Sequence, residues 1–195
     1  MNSASISVRT GPSGEPTLPD LLIEGLDLVF VGINPSVYSV DRGHYFARPG
    51  NRFWPCLSRS ILSRRARAAL AVENLVPGND RTLQQYGIGF TDLVKRATPQ
   101  ASDLAVGEFA AGVEQLLENI HRYRPRVACF HGVTGYRHVH TALVGEAGQV
   151  ALGLQDVKLG ATSIFLVPNP SGANAHYTRE DQTRWYDALA AYLSG

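Results

Sequence analysis

Short apolar runs recur along this chain, and they limit the fold more than any other feature of the sequence. Residues 26–33 (LDLVFVGI) form an almost wholly apolar run that enters a Gly and Pro turn, which is typical of a strand buried on both faces of a sheet. Further runs at residues 87–94, 126–130 and 163–167 also indicate short strands. The pattern therefore predicts a central sheet assembled from segments far apart in sequence.

Segments of helical periodicity separate these strands. Residues 53–75 indicate one or two amphipathic helices, and residues 108–123 again place apolar side chains at helical spacing. Another helix follows the turn at residues 131–135, and Thr178 with Asp181 forms a capping box that opens the last helix. Strands that alternate with helices predict an α/β protein, a three-layer α/β/α sandwich with a mostly parallel central sheet.

The length of 195 residues suits one domain with a substantial core. We assign residues 20–195 to that domain and residues 1–19, rich in Ser, Thr, Gly and Pro, to a flexible N-terminal arm. The arm lacks the basic start and apolar stretch of a secretory signal, and no apolar run reaches the length that crosses a bilayer. We therefore expect a cytoplasmic protein without a membrane partner.

Cysteine usage and net charge exclude several kinds of site. Cys56 and Cys129 lie far apart in the sequence, so neither a disulfide framework nor a zinc site is predicted, and we expect buried thiols. The net charge of +1 excludes bulk charge as a means of binding nucleic acid. A DNA contact must therefore come from a local patch, for which the candidate cations are Arg42, Arg48, Arg52, Lys95, Arg96 and Arg179.

One short motif occurs twice, each time at the end of a predicted strand. The first strand ends in Asn34-Pro35-Ser36 and the last in Asn169-Pro170-Ser171. Proline disfavours the helical conformation of the residue before it, so each asparagine is held extended and its amide is aimed. Ligands of open α/β sheets bind beyond the carboxyl ends of the strands, so both loops would face one crevice if their strands are parallel neighbours. Asn-Pro is also ordinary turn chemistry, which would explain either copy alone.

Residues 32–54, GINPSVYSVDRGHYFARPGNRFW, resemble the signature of the mismatch-specific uracil-DNA and thymine-DNA glycosylases within the uracil-DNA glycosylase superfamily. The resemblance rests on GINP, on the aromatic-Ala-x-Pro-Gly-Asn-x-Phe-Trp block and on the later sequence NPSG at residues 169–172. These enzymes remove a damaged or mismatched pyrimidine from DNA by cutting its N-glycosidic bond. The resemblance implies their fold, which is compatible with the α/β architecture predicted above.

A pyrimidine inside a duplex is shielded, so such an enzyme flips the nucleotide into a pocket, stacks the base and reads its edge. The resemblance implies that Phe46 stacks on the flipped base and that backbone groups near Ile33 and Phe46 bind its edge. Ser36, which stands where a glycine is common, and Asn51 and Asn169 are further candidates for contacts with the substrate. Without the motif, Phe46 would be interpreted as a core aromatic.

Two side chains are candidates for catalysis. Asn34 matches the family residue that orients the attacking water, but an amide does not take up a proton, so Asn34 alone implies modest activity. Asp92 follows the strand-like GIGFT and would place a carboxylate at the same end of the sheet, to activate water or stabilise positive charge on the sugar. A helix N-cap or an exposed loop acid is an equally good interpretation of Asp92.

The resemblance implies that the loop after the last strand, residues 169–176, enters the duplex and fills the gap left by the flipped base. Ala173 and Asn174 stand where relatives often carry a larger wedge, so we do not expect strong dependence on the opposite base. The predicted DNA-binding residues are Ser171, Gly172, Ala173, Asn174, Arg48 and Arg179.

The sequence therefore predicts a glycosylase that uses no metal and no organic cofactor. We expect it to be monofunctional, with water as the nucleophile, since neither motif contains a lysine able to form a Schiff base. Its partner would be double-stranded DNA containing uracil or a mismatched pyrimidine, and we expect a monomer, associated with the nucleoid in a bacterium. A non-catalytic module that binds DNA damage and a hydrolase of free nucleosides are open alternatives. The sequence does not rank uracil, mismatched thymine and damaged pyrimidines as substrates.

Overall fold

The computed structural model of the protein describes residues 9–10, 14, 16–146 and 148–195. Its strands are β1 (Arg9–Thr10), β2 (Pro16–Thr17), β3 (Leu28–Gly32), β4 (Ile88–Asp92), β5 (Val127–His131), β6 (Gly153–Leu159) and β7 (Thr162–Val167). Its α-helices are α1 (Val37–Arg42), α2 (Phe53–Arg59), α3 (Arg64–Leu70), α4 (Val106–Tyr123), α5 (Val133–Val144) and α6 (Arg179–Ser194). Short 3₁₀ helices cover Ile61–Ser63, Pro77–Asn79, Thr82–Tyr86 and Ala101–Asp103.

The central sheet has five strands in the order β4-β3-β5-β7-β6. Neighbouring strands from β4 to β7 are parallel, whereas β6 pairs with β7 in the antiparallel direction. Every residue of β3, β4, β5 and β7 is buried, as expected of strands covered on both faces. The predicted mostly parallel sheet is confirmed, and its carboxyl ends lie along one edge.

Helices cover both faces of the sheet. One face packs against α2 and α6 through side chains such as Phe53 and Leu189, and the other packs against α4 and α5 through Val113 and Val139. The result is the predicted three-layer α/β/α sandwich. Among the described residues, no helix combines the length and the apolar character needed to cross a membrane.

Several details of the sequence prediction are refined. Residues 53–75 form α2, a 3₁₀ turn and α3, and α3 ends at Leu70 because Ala71 adopts a left-handed conformation with φ of 52°. The predicted capping box of α6 is present, since the Asp181 amide donates to the Thr178 hydroxyl at 3.0 Å and the Thr178 amide donates to the Asp181 carboxylate at 2.8 Å. Cys56 and Cys129 are buried free thiols, as expected.

Most of the predicted N-terminal arm, residues 1–8, 11–13 and 15, lies outside the described residues. Leu18 is buried, and the hydroxyl of Thr17 donates to the carbonyl of Lys95 at 2.6 Å. Residues just before position 20 therefore pack on the domain.

Helix α4 approaches the loop after β4 very closely. A Cβ on Gly112 would lie 2.2 Å from the carbonyl oxygen of Leu93, a backbone atom that has little freedom to move aside. A Cβ on Gly107, in the first turn of the same helix, would meet open space. The glycine at position 112 therefore allows the contact between α4 and the residue that follows Asp92.

We expect Gly112→Ala to lower the free energy of unfolding by about 1–3 kcal/mol, because the overlap with Leu93 outweighs the better helix propensity of alanine. Gly107→Ala is the matched control and should raise the free energy of unfolding by up to about 1 kcal/mol. Urea denaturation followed by circular dichroism measures both values. Equal stability of the two variants would contradict the close approach of α4.

Candidate active site

A pocket of about 410 Å³ opens at the carboxyl ends of β3, β4, β5 and β7. The structure brings most of the predicted site residues to its wall, namely Ile33, Asn34, Ser36, Phe46, Arg48, Asn51, Asp92, Asn169, Ser171 and Ala173. Three predicted DNA-binding residues are not part of this wall, namely Gly172, Asn174 and Arg179. Asn174 instead lines a neighbouring groove, and Arg179 is exposed at the first position of α6.

The two Asn-Pro corners face this one pocket, although their strands are not neighbours. β5 lies between β3 and β7, so the two loops face one pocket without the neighbouring strands that the sequence argument took as its condition. The loop after β5 is compact enough to leave the two corners close to each other. Gly132, directly after β5, lies so near Asn169 that a Cβ on Gly132 would be 3.1 Å from the Asn169 Cβ. Gly132 also has a φ of 83°, which glycine adopts readily.

Asn34 is held rigidly by its amide nitrogen. Nδ2 donates to the hydroxyl of Thr98 at 2.7 Å and to the carbonyl of Arg96 at 2.9 Å. A carbonyl only accepts hydrogen bonds, so these contacts identify the nitrogen side of the amide. Oδ1 of Asn34 is therefore left as an acceptor at the pocket, which is suited to binding the hydrogen of a water molecule.

Asn169 is held with the opposite polarity. Its Oδ1 accepts from the backbone amide of Ser171 at 2.9 Å, and its own carbonyl accepts from the side chain of Asn174 at 2.9 Å. Because an amide nitrogen donates to Oδ1, the Nδ2 donor of Asn169 is the group left for the pocket. The two corners thus supply one acceptor and one donor.

Asp92 is the last residue of β4 and is paired in register with Gly32. Its side chain is 6% exposed, and Oδ2 is buried without a hydrogen bond to the described part of the protein. Burial raises the pKa of this carboxyl to about 7, although Lys95 acts in the opposite direction. Asp92 is therefore neither an exposed loop acid nor a helix cap, and it changes charge near neutral pH.

The chain segments that carry Asn34 and Asp92 run side by side beyond their strands. The Leu93 amide donates to the Gly32 carbonyl at 2.9 Å, and the Val94 amide donates to the Ile33 carbonyl at 2.8 Å. A Cβ on Gly32 would lie 2.2 Å from Oδ1 of Asp92, so a side chain at position 32 would displace the carboxyl. The carboxylate therefore lies directly over the backbone of Gly32.

Phe46 presents a half-buried ring to the pocket and stacks on the buried ring of Phe53, with centroids 4.3 Å apart. Its backbone has a φ of 53°, which is uncommon for a residue with a side chain and carries a conformational cost. The neighbouring residues hold it there. The Tyr45 amide donates to the Asp80 carboxylate at 3.0 Å, and the Ala47 amide donates to the Ser39 hydroxyl at 3.2 Å.

The loop that contains Asn169 is fastened to the segment before α2. The Arg52 amide donates to the Pro170 carbonyl at 2.8 Å, and the Arg52 guanidinium donates to the Tyr177 carbonyl. Gly172 approaches the carbonyl of Gly50 so closely that a Cβ would lie 2.7 Å from its oxygen. The side chain of Arg52, one of the candidate cations for DNA, therefore binds within the protein.

A family model described as the uracil DNA glycosylase superfamily matches residues 19–193. The chain belongs to the uracil DNA glycosylase superfamily. A solution NMR structure from Methanosarcina acetivorans, provisionally described as a uracil DNA glycosylase, matches with a TM-score of 0.56 and 22% identity. The match covers 92% of this chain and 98% of that chain, and it shows a shared fold. Membership in the superfamily supports a uracil-excising DNA glycosylase in general.

Two predicted contact residues of this superfamily member have local structural partners. The Ser36 hydroxyl caps α1 by accepting from the Ser39 amide at 3.1 Å. Oδ1 of Asn51 accepts from the Phe53 amide at 2.8 Å, at the start of α2. Helix capping thus sets the position of Ser36, and a bond to the first residue of α2 sets that of Asn51. Their roles toward a substrate stay predictions.

The residues that line the pocket of this superfamily member and that sequence reasoning did not assign to it include Leu18, Tyr45, Thr98 and His131. Leu18 and Thr98 lie outside the motifs, and no local pattern marks them. His131 directly follows the strand predicted at residues 126–130, which was the available signal. Its Nε2 lies 3.1 Å from the Tyr186 hydroxyl, and burial lowers its pKa to about 3, so the imidazole is neutral.

Within the described residues, no group of three His, Cys, Asp or Glu side chains is arranged to hold a metal ion.

Asp92 should limit the stability of this superfamily member at neutral and alkaline pH. A carboxyl with a raised pKa in the folded state binds its proton more tightly when folded, so stability is lost as the pH rises from about 4 to about 7. A shift of about three units corresponds to about 4 kcal/mol as an upper value. We expect Asp92→Asn to be more stable than the natural protein at pH ~8 and to lose this advantage near pH ~4.

Urea unfolding at several pH values measures this difference. Asp41→Asn, at an exposed position of α1, is the matched control and should show little pH-dependent change. A stability difference for Asp92→Asn that is the same at every pH would contradict a penalty for ionising Asp92.

Proposed function

We propose that this protein is a monofunctional uracil-DNA glycosylase of the mismatch-specific type, which flips uracil from DNA and hydrolyses its N-glycosidic bond. The observation that carries the proposal is that a half-buried aromatic ring, two oppositely polarised amides and a buried carboxyl meet at one pocket. Oδ2 of that carboxyl accepts no hydrogen bond from the described residues. Superfamily membership supports the reaction class. The GINP and NPSG motifs favour the mismatch-specific type over other members.

The pocket offers a place for each part of the reaction. Phe46 provides a flat surface for the flipped base, and its support by Phe53 keeps the ring in place. The Nδ2 donor of Asn169 is suited to the negative charge that develops on the departing base. Oδ1 of Asn34 is suited to hold the attacking water, because its amide nitrogen is fully used elsewhere.

Asp92 supplies what the amides do not. As the N-glycosidic bond breaks, the electron pair leaves with the base and positive charge develops on the sugar, which a nearby carboxylate stabilises. When water adds to the sugar carbon, the carboxylate takes the proton that Asn34 cannot accept. Both tasks need the ionised form, so activity should rise with pH through the Asp92 pKa of about 7.

We expect Asp92→Asn to lower the single-turnover rate of uracil excision by more than about tenfold near pH 8, because general acid-base assistance is commonly worth that much or more. The rate of the natural protein should rise with pH across about pH 7, and the rate of Asp92→Asn should be nearly flat. Asn34→Ala should also lose activity by removing the acceptor for water. Near-normal turnover by Asp92→Asn would assign the main role to Asn34.

The assay is strand scission by alkali after incubation with a uracil-guanine duplex, with Asp41→Asn as the control. Scission at the uracil position demands catalysis, so its absence alongside tight binding would favour the alternative of a damage-binding module. Release of uracil from free deoxyuridine at a comparable rate would favour a nucleoside hydrolase instead.

The motifs are those of the mismatch-specific type, but the small residue at the wedge position predicts that this chain depends only weakly on the opposite base. Ala173 is exposed at the pocket and carries only a methyl group, too small to replace a nucleotide in the duplex. We expect excision from uracil opposite guanine, opposite adenine and in single strands to agree within about tenfold. Ala173→Leu should raise the duplex rates and leave the single-strand rate unchanged. A large preference for one duplex in the natural protein would show that another group fills the gap.

A further inference from the structure

An ion pair lies behind Asp92, on the opposite face of β4. Oδ1 of Asp20 accepts from the Thr91 hydroxyl at 2.5 Å and from the ammonium of Lys95. Oδ2 of Asp20 accepts from the side-chain amide of Asn119 in α4 at 3.1 Å. Both charged side chains are mostly shielded from solvent, with exposures of 27% for Asp20 and 20% for Lys95.

The chain places both charges close to Asp92. Thr91 directly precedes Asp92, and side chains alternate between the faces of a strand, so Asp20 meets the face that Asp92 does not. Lys95 is three residues beyond Asp92, and its carbonyl is tied to Thr17 at 2.6 Å. Lys95 contacts Asp20 and the Thr91 hydroxyl, and among the described residues no hydrogen bond or ion pair joins it to Asp92.

Asp92 responds to these charges because it has little else to compensate it. Its buried Oδ2 accepts no hydrogen bond from the described residues. After burial, Lys95 is the next influence on the Asp92 pKa and lowers it, while Asp20 raises it. The two effects oppose each other, so the paired charges hold the carboxyl at an intermediate affinity for its proton.

We propose that Asp20 and Lys95 are positioning residues for the reaction, which set the charge state of Asp92 from behind the strand and touch neither the pocket nor the substrate. This inference rests on the proposed function, in which Asp92 acts as a carboxylate. It assigns a task to the N-terminal segment that carries Asp20, beyond its contribution to the core.

The other charged or titratable groups near Asp92 are neutral, exposed or joined to another partner, so Asp20 and Lys95 remain the pair that sets its charge state. Tyr45 and His131 line the same pocket, but burial raises the pKa of Tyr45 well above its usual value and lowers that of His131 to about 3, so both are neutral near pH 7. Arg48 is at the exposed rim of the pocket. Arg96, in the loop after β4, is joined to Glu108 at 2.6 Å.

Two neutralising variants should move Asp92 in opposite directions. Asp20→Asn removes the negative charge and leaves Lys95, so the pH at which Asp92 ionises should fall by about half a unit to one unit. Lys95→Met removes the positive charge and should raise that pH by a similar amount. The double variant should return close to the natural value. Simple loss of packing would not produce shifts of opposite sign.

The experiment measures Asp92 in two independent ways on the full chain. Carbon-13 NMR follows the Asp92 carboxyl during a pH titration, and single-turnover excision of uracil gives the pH at which the rate is half-maximal. Asp27→Asn and Arg126→Met are the matched controls, because this ion pair, with atoms 3.3 Å apart, lies at the opposite end of the sheet. Circular dichroism confirms that each variant is folded.

Opposite shifts in both measurements support the proposal. Shifts of the same sign, or none, in the NMR titration of folded variants overturn it. Opposite NMR shifts with an unchanged pH dependence of the rate retain the control of Asp92 by the pair and contradict the proposed catalytic use of Asp92. The failure of this inference and the failure of the proposed function are thereby distinguished.

Discussion

The site depends on the parallel pairing of β3 with β4 and on its continuation past the ends of both strands. Backbone hydrogen bonds from Leu93 and Val94 carry the pairing two residues beyond β4, and the Thr98 amide adds one more to the Pro35 carbonyl at 3.3 Å. This extension places the loop after β4 beside Asn34. In that loop the Arg96 carbonyl and the Thr98 hydroxyl accept hydrogen bonds from the side-chain amide of Asn34. It also lays Asp92 over Gly32. Catalytic candidates from two distant parts of the sequence thus share one backbone frame.

A strained backbone and a polar atom without a hydrogen bond both occur at this edge of the sheet. Phe46 keeps a left-handed backbone, and Oδ2 of Asp92 is buried without a hydrogen bond from the described residues. Both features cost folding free energy. The surrounding core offsets these costs, since β3, β4, β5 and β7 are buried along their whole length. A pocket that must stabilise charge during a reaction gains from groups that the protein itself leaves unsatisfied.

The sequence predicted the elements and the motifs well, because apolar runs, capping boxes and proline act over a few residues. The Asn-Pro corners and Phe46 meet at one pocket as their motifs indicate. Strand order was beyond such rules, since the position of β5 between β3 and β7 depends on how helices pack. The burial of Asp92 and the positions of Thr98 and Leu18 at the pocket could not be predicted from the sequence either, because they arise from contacts between residues far apart in the chain.

In the proposed complex with DNA, an extruded pyrimidine lies on Phe46 with its sugar facing Asn34 and Asp92. A crystal structure with duplex DNA containing 2′-fluoro-2′-deoxyuridine tests it most directly, since the fluorine slows cleavage by disfavouring positive charge on the sugar. The account predicts the uracil ring stacked on Phe46, with Oδ1 of Asn34 and the Asp92 carboxylate near the sugar carbon that carries the base. A uracil that stays in the duplex, or that lies outside this pocket, would contradict it.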